Sequence, residues 1–201
     1  MPKLHLFRYK GALLLSLVLF AAGLVLGCLN AGILQSVVAG EVDKLREVSG
    51  GLAASEHPEL QFFIFIFLNN VIKSVLVIWL GAFLGVLPVL FLLLNGLALG
   101  FVVSASGAAG ADLGELIVKG LLPHGIIEIP ALLLACGYGL KFGGMVWAGL
   151  FKPRRKGESG KRKREWASFL NSAWSATLWV VILLVIAALI ESTVTYHLVR
   201  N

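Results

Sequence analysis

Five stretches of the chain run for about twenty residues with few charges, at about 11–31, 61–81, 88–107, 121–148 and 170–191. A helix needs about 20 apolar residues to cross the hydrocarbon of a bilayer, so each stretch predicts one transmembrane helix. The first connection has a different pattern. Residues 33–49 (ILQSVVAGEVDKLREVS) place Ile33, Val37, Val38, Val42, Leu45 and Val48 at helical spacing with charges between them. This is an amphipathic helix, stopped by Gly50-Gly51 and followed by a loop containing His57-Pro58. Such a helix serves as an interfacial anchor or as a surface for a partner. Only Gly81 to Pro88 separates the second and third spans, without a charge. That predicts a tight bend seated at membrane depth and covered by neighbouring helices, because backbone off the helical ladder needs partners there.

Composition extends the pattern to the whole chain. Of 201 residues, 58% are hydrophobic and 14% charged, and the mean hydropathy is +0.90. The expected fold is an all-α polytopic integral membrane protein: one membrane domain over 1–201, a bundle of five transmembrane helices with an extracytoplasmic amphipathic helix. No repeat with a period of 20 to 50 residues is visible, which excludes a solenoid.

Charge then sets the orientation. Lys3, Arg8 and Lys10 precede the first span, and the 149–169 linker holds Lys152, Arg154, Arg155, Lys156, Lys161, Arg162, Lys163 and Arg164, so 11 of the 17 basic residues fall on one side. Basic flanks stay in the cytoplasm. The N-terminus and this linker are therefore expected inside the cell membrane and the C-terminus outside, with segments 32–60 and 108–120 also outside. These outer segments are acidic in balance: Glu41, Asp43, Glu47, Glu56, Glu59, Asp112 and Glu115 stand against Lys44, Arg46 and Lys119. A linker placed against the membrane meets anionic lipid headgroups, and no nucleic-acid partner is expected from it. The first span ends Val25-Leu26-Gly27-Cys28, loosely like a lipoprotein signal, but leucine fits that pattern poorly and a retained anchor is the better reading. Cys28 and Cys136 lie within spans and read as packing residues without a disulfide framework.

The candidate chemistry lies inside the spans. Asn69, Asn70, Lys73 and Ser74 interrupt the second (FLNNVIKSV), Asn95 the third (LLLNGLALG), and His124 and Glu128 the fourth (LLPHGIIEIPALLLACGYGL). At about 1.5 Å per residue, Asn69, Asn70, Lys73, Asn95 and Glu128 fall in one layer of the outer half of the membrane, with His124 somewhat above. An outward-facing polar pocket is expected from Asn69, Asn70, Lys73, Asn95, His124 and Glu128. Ionisable groups in spans are costly and mark functional positions. Three uses stay open: a structural Glu128–Lys73 or Glu128–asparagine bond between helices; a proton or ion relay through Glu128; or a divalent metal such as zinc on His124 and Glu128. Their i, i+4 spacing suits two metal ligands, with His57 the nearest further histidine. No activated nucleophile accompanies them, so an enzyme is not expected. Pro123 suits the first turn of a helix, and Pro130 is expected to kink it just beyond Glu128.

Glycines recur four apart at Gly23/Gly27, Gly81/Gly85, Gly96/Gly100 and Gly139/Gly143. Each pair is a strip on which another backbone can approach closely, and one strip is expected to serve a homodimer.

The order of an Asn-Asn pair (FLNNVIKS), a glycine-rich hairpin, LNGLALG and then LLPHGIIEIPALLLACGYGL resembles the stage II sporulation protein M family over roughly 60–145, most specifically at Pro-His-Gly-x-x-Glu. The matching positions are Asn69, Asn70, Asn95, Gly96, Pro123, His124, Gly125 and Glu128. The resemblance implies a non-enzymatic scaffold of the engulfment machinery at the sporulation septum. It implies partners as well, stage II sporulation proteins P and D, which degrade peptidoglycan. A small-solute or ion transporter is the alternative.

Overall fold

A computed structural model describes residues 9–29, 50–51, 56–110, 112–115, 122–151 and 159–200, with the side chains of Glu59, Glu115, Leu122–His124, Ser159 and residues 191–200 left out of the description. The amphipathic segment 33–49 lies outside the described residues. Five long helices carry the fold: α1 (Lys10–Leu29), α2 (Pro58–Leu80), α3 (Val86–Ala108), α4 (Leu122–Phe151) and α5 (Ser159–Arg200), with a single turn at Leu113–Glu115. No strand occurs among the described residues. Each of the five is long and apolar enough to cross a membrane. The chain is therefore a multi-pass membrane protein, as its hydropathy pattern predicts.

The ends of the helices follow local chemistry. Pro58 opens α2 in its first turn, where its missing N–H costs nothing. Leu84 (φ 56°) and Gly85 (φ 77°) reverse the chain between α2 and α3. Hydrogen bonds run Ala82 N–H to Trp79 O at 3.2 Å, Phe83 N–H to Leu80 O at 3.0 Å and Gly85 N–H to Gly81 O at 2.8 Å. The bend thus supplies internal partners for much of its own backbone, as a turn at membrane depth requires.

α5 departs from expectation. It begins at Ser159 and not near 170, so Lys161–Arg164 lie on its first turns and the linker shrinks to 152–158. Lysine, arginine and glutamate are good helix formers; hydropathy finds the part of a helix that crosses lipid, not where the helix ends. Its 42 residues extend about 63 Å at 1.5 Å per residue, about twice the hydrocarbon thickness.

α4 is the hub. It packs on α1, α2, α3 and α5, while α1 lies mainly along α3 and α5 along α2. The glycine strips explain how the backbones come so close. A Cβ at Gly23 or Gly27 would strike the carbonyl of Leu93 or Leu97, and one at Gly96 or Gly100 the carbonyl of Phe20 or Leu24. A Cβ at Gly81 would likewise strike the carbonyl of Gly139, and one at Gly143 the amide nitrogen of Gly85, while one at Gly85 would lie in ordinary contact, 3.8 Å from Gly143. This contact supplies the cover expected for the bend. It also corrects the expectation that one strip is spare for a dimer, since all four are taken up within the chain. Near Gly100, the Cys28 thiol donates to the Gly100 carbonyl at 3.4 Å, and the Ser16 hydroxyl lies 3.1 Å from Leu133 O, tying α1 to α4.

The two halves of the bundle are built differently. At the end bearing the α2–α3 bend, aromatic rings interlock: Tyr9 and Tyr138 have ring centres 5.2 Å apart, Phe142 and Phe169 5.3 Å, and Trp79 and Trp174 4.7 Å. Tyr138, Phe169 and Ile78 are fully enclosed. Such pairs add roughly 0.5–1.5 kcal/mol each beyond the area they bury. The other half, where α3 ends and α4 begins, is hollow.

Candidate functional site: an intramembrane polar cavity

The hollow is a cavity of about 700 Å³. α2 brings Asn69, Asn70, Lys73 and Ser74 to it, because positions three and four apart share a helix face, and α3 brings Asn95 one side chain at a time between Phe91 and Leu99. From α4 come Glu128, Ile126, Ile129 and Pro130. Five of the six residues expected to form a polar pocket therefore line one cavity: Asn69, Asn70, Lys73, Asn95 and Glu128. The sixth, His124, lies on α4 four residues before Glu128, and its side chain lies outside the described residues. His57 precedes α2 as an exposed residue and does not line the cavity. Among the described residues no group of three or more histidines, cysteines, aspartates or glutamates stands close enough to hold a metal ion.

A directed chain of hydrogen bonds crosses the cavity. Asn69 Nδ2 donates to Asn70 Oδ1 at 3.4 Å, and Asn70 Nδ2 donates to Glu128 Oε1. The first link is long; the second joins α2 to α4. The interhelical bond expected for Glu128 is made by Asn70. On α3, Asn95 Nδ2 donates back to Phe91 O at 2.7 Å, which leaves its carbonyl oxygen and its second amide N–H to offer a ligand. α4 continues as a helix through Pro130, which has no N–H to give the carbonyl of Ile126. That carbonyl adds an acceptor beside Glu128.

Sequence reading missed the remaining walls. Phe20 and Leu24 of α1 and Leu184 of α5 close the cavity, so its lining comes from five helices, not three. Nothing in an apolar residue of an apolar span marks it as lining a cavity. The only local hint was Gly96 one residue after Asn95, because the close α1–α3 crossing at that glycine carries Phe20 and Leu24 to the same level.

Comparison with known proteins now adds to the geometry. A family model described as stage II sporulation protein M matches residues 16–196. The chain belongs to the stage II sporulation protein M family. The match runs from within α1 to within α5, and every cavity-lining residue lies inside it. Two uncharacterised proteins of Methanocaldococcus jannaschii are similar to it. One is 29% identical over 121 residues, 60% of this chain, and the chain spans only about half (51%) of that relative's length. The other is 27% identical over 187 residues, covering 92% of this chain and 94% of the relative. No solved structure matches. As a stage II sporulation protein M family member, the chain carries its asparagine and glutamate positions on three separate helices that the fold brings to one cavity.

Proposed function

We propose that this family member is a non-enzymatic membrane scaffold of the sporulation engulfment machinery, recruiting or anchoring the peptidoglycan hydrolases called stage II sporulation proteins P and D at the septum. The observation that carries the reading is the family match over residues 16–196. The packing is compatible with it: an aromatic and glycine-packed body gives a rigid mount for partners, and the connections at the hollow end are its natural docking elements. In this proposal the N-terminus and the basic linker face the cytoplasm and the C-terminus faces out, on the charge asymmetry of the chain. A homodimer belongs to the proposal only through a surface other than the glycine strips. The test is deletion of the gene with fluorescent fusions to both hydrolases. Loss of their septal foci, restored by the wild-type chain, is expected; foci that persist without the protein would refute the scaffold.

The cavity favours a second reading, a small-solute or ion transporter or a metal-binding membrane protein. Glu128 in a polar cavity within the spans is the feature that supports it. Ion or solute flux into vesicles carrying the purified protein, compared with a Glu128→Gln variant, tests transport. Metal content of the purified protein with and without His124→Ala tests the metal.

A further inference from the structure

Ser74 is a side chain of the cavity that the fold itself does not use. The other three buried serine and threonine hydroxyls bond a carbonyl about one turn back: Ser16 to Leu13 O at 2.7 Å, Ser172 to Ser168 O at 2.9 Å and Thr177 to Ala173 O at 2.9 Å. That is a common resting place for such a group in a helix. Ser74 is as buried as they are, at 4% exposure, and lines the cavity, yet it takes part in none of the hydrogen bonds among the described residues. Leaving a buried hydroxyl unbonded costs stability, and a group that enters the cavity can bond it.

The polar groups of the cavity divide by helix into acceptors and donors. On α4 stand the carboxylate of Glu128 and the carbonyl of Ile126, which Pro130 leaves without its helical partner. A carboxylate has about four acceptor sites, so the amide of Asn70 does not exhaust that of Glu128. On α2 and α3 stand the ammonium of Lys73, the hydroxyl of Ser74 and the amide of Asn95, which keeps one N–H after bonding Phe91. Phe20, Leu24, Phe91 and Leu99 make the wall between them apolar.

The cavity reaches the end of the bundle at which α4 begins. Gly125 and Ile126, close behind the first residue of α4 at Leu122, line it, and Ile126 is 62% exposed. The bond to Asn70 sets Glu128 level with that residue, and Lys73, three residues further along α2, lies about 4.5 Å deeper. A solute arriving from water at this end therefore meets the carboxylate first and the ammonium behind it.

We infer that the cavity binds a zwitterionic α-amino acid with an apolar side chain. Its ammonium is held by Glu128 and the Ile126 carbonyl, its carboxylate by Lys73, Ser74 and Asn95, and its side chain lies against Leu24, Phe91 and Leu99. A ligand that carries both charges matches both walls, whereas a simple cation meets the like charge of Lys73 and a simple anion that of Glu128. The volume of about 700 Å³ is in the range of small-ligand sites and admits such a solute with water around it. This inference names the solute class of the second reading above and rests on that reading for taking the cavity as a solute site; binding itself requires no transport.

Equilibrium binding of radiolabelled leucine and phenylalanine to the purified full-length protein in detergent, read beside thermal unfolding, tests the assignment. Each is expected to bind as one molecule per chain and to raise the unfolding temperature. Isocaproate, which is leucine without its ammonium, and isoamylamine, which is leucine without its carboxylate, are expected to do neither at the same concentration. Glu128→Gln and Lys73→Met should each weaken leucine about tenfold, which corresponds to about 1.4 kcal/mol. Ser74→Ala should weaken it several-fold with no loss of stability in the absence of leucine, since no bond within the chain is given up, and it carries the test where Lys73→Met does not accumulate. Equal stabilisation by isocaproate or by isoamylamine would make this a site for a single charge and overturn the proposal. So would absent binding of both amino acids, or undiminished leucine binding in Glu128→Gln, in Lys73→Met or, where that variant fails, in Ser74→Ala. Ion flux into vesicles that depends on Glu128, found without amino-acid binding, would keep the transporter reading and sink this one; leucine binding without leucine flux would do the reverse.

Discussion

At the scale of single residues, the Asn70–Glu128 bond decides what the polar layer does for the fold. Glu128 is half-buried, and the amide it accepts from Asn70 joins α4 to α2, so removing either partner takes away that link between the helices. Glu128→Ala is expected to destabilise by about 1–3 kcal/mol, and Asn70→Ala by a comparable amount. The double variant should cost less than the two together, with a coupling of about 0.5–3 kcal/mol, since one bond is lost only once. Denaturant unfolding in detergent measures all three. Glu128→Gln keeps an acceptor for Asn70 and should accumulate like the parent, so a loss of engulfment in that variant would separate a working carboxylate from a structural one. The sequence made this layer legible because each polar residue stood out in an apolar span and helical rise fixed its depth. Which asparagine would meet Glu128 was not legible. Asn69 and Asn70 are neighbours at one depth but about 100° apart around the helix, given 3.6 residues per turn, and only the packing of α2 on α4 and α5 determines which one turns inwards.

At the scale of elements, glycine spacing was read correctly as close packing and wrongly as partly surplus. Spacing shows that a strip exists; it carries no information on what lies against it. α4 offers a direct contrast in adjacent residues. A Cβ at Gly143 would collide with the backbone of Gly85 and Leu84, whereas one at Gly144 meets nothing within 4 Å. Gly143→Ala is expected to lose about 1–3 kcal/mol, because backbone cannot move aside as a flexible side chain can. Gly144→Ala should leave stability unchanged or raise it by up to about 1 kcal/mol, the ordinary gain of alanine over glycine in a helix. Thermal unfolding of the two variants side by side checks the ordering, and equal effects would mean that the α4 contact with the bend is misplaced. By the same reasoning, Gly→Leu at Gly27, Gly81, Gly100 or Gly139 should unfold the subunit and not convert a dimer into monomers. Size-exclusion light scattering that returned a folded monomer from any of them, out of a dimeric parent, would restore the spare strip.

At the scale of the whole molecule, the bundle has two ends of opposite character, and the charges fall on them unevenly. The aromatic core, the start of α1, the α2–α3 bend and the basic start of α5 share one end; the cavity lies towards the other. The number of spans and their alternating directions were legible because hydropathy over about 20 residues is a strong signal. That one half would be filled by rings and the other left hollow was not, since Tyr9 before α1, Trp79 on α2, Tyr138 and Phe142 on α4, and Phe169 and Trp174 on α5 are far apart in the chain and converge only in the fold. In the proposed orientation the 11 basic residues of the N-terminus and the α4–α5 linker stay in the cytoplasm, which puts the aromatic end inside and the cavity in the outer half. Single cysteines at Ser55 and at Ser159, introduced into a chain whose Cys28 and Cys136 are replaced by alanine, test this with a membrane-impermeant thiol reagent on intact cells. Labelling is expected at position 55 and not at 159, with both labelled once the membrane is permeabilised. Labelling at 159 alone would place the basic end outside, and the cavity would then lie in the cytoplasmic half, out of reach of an extracytoplasmic solute.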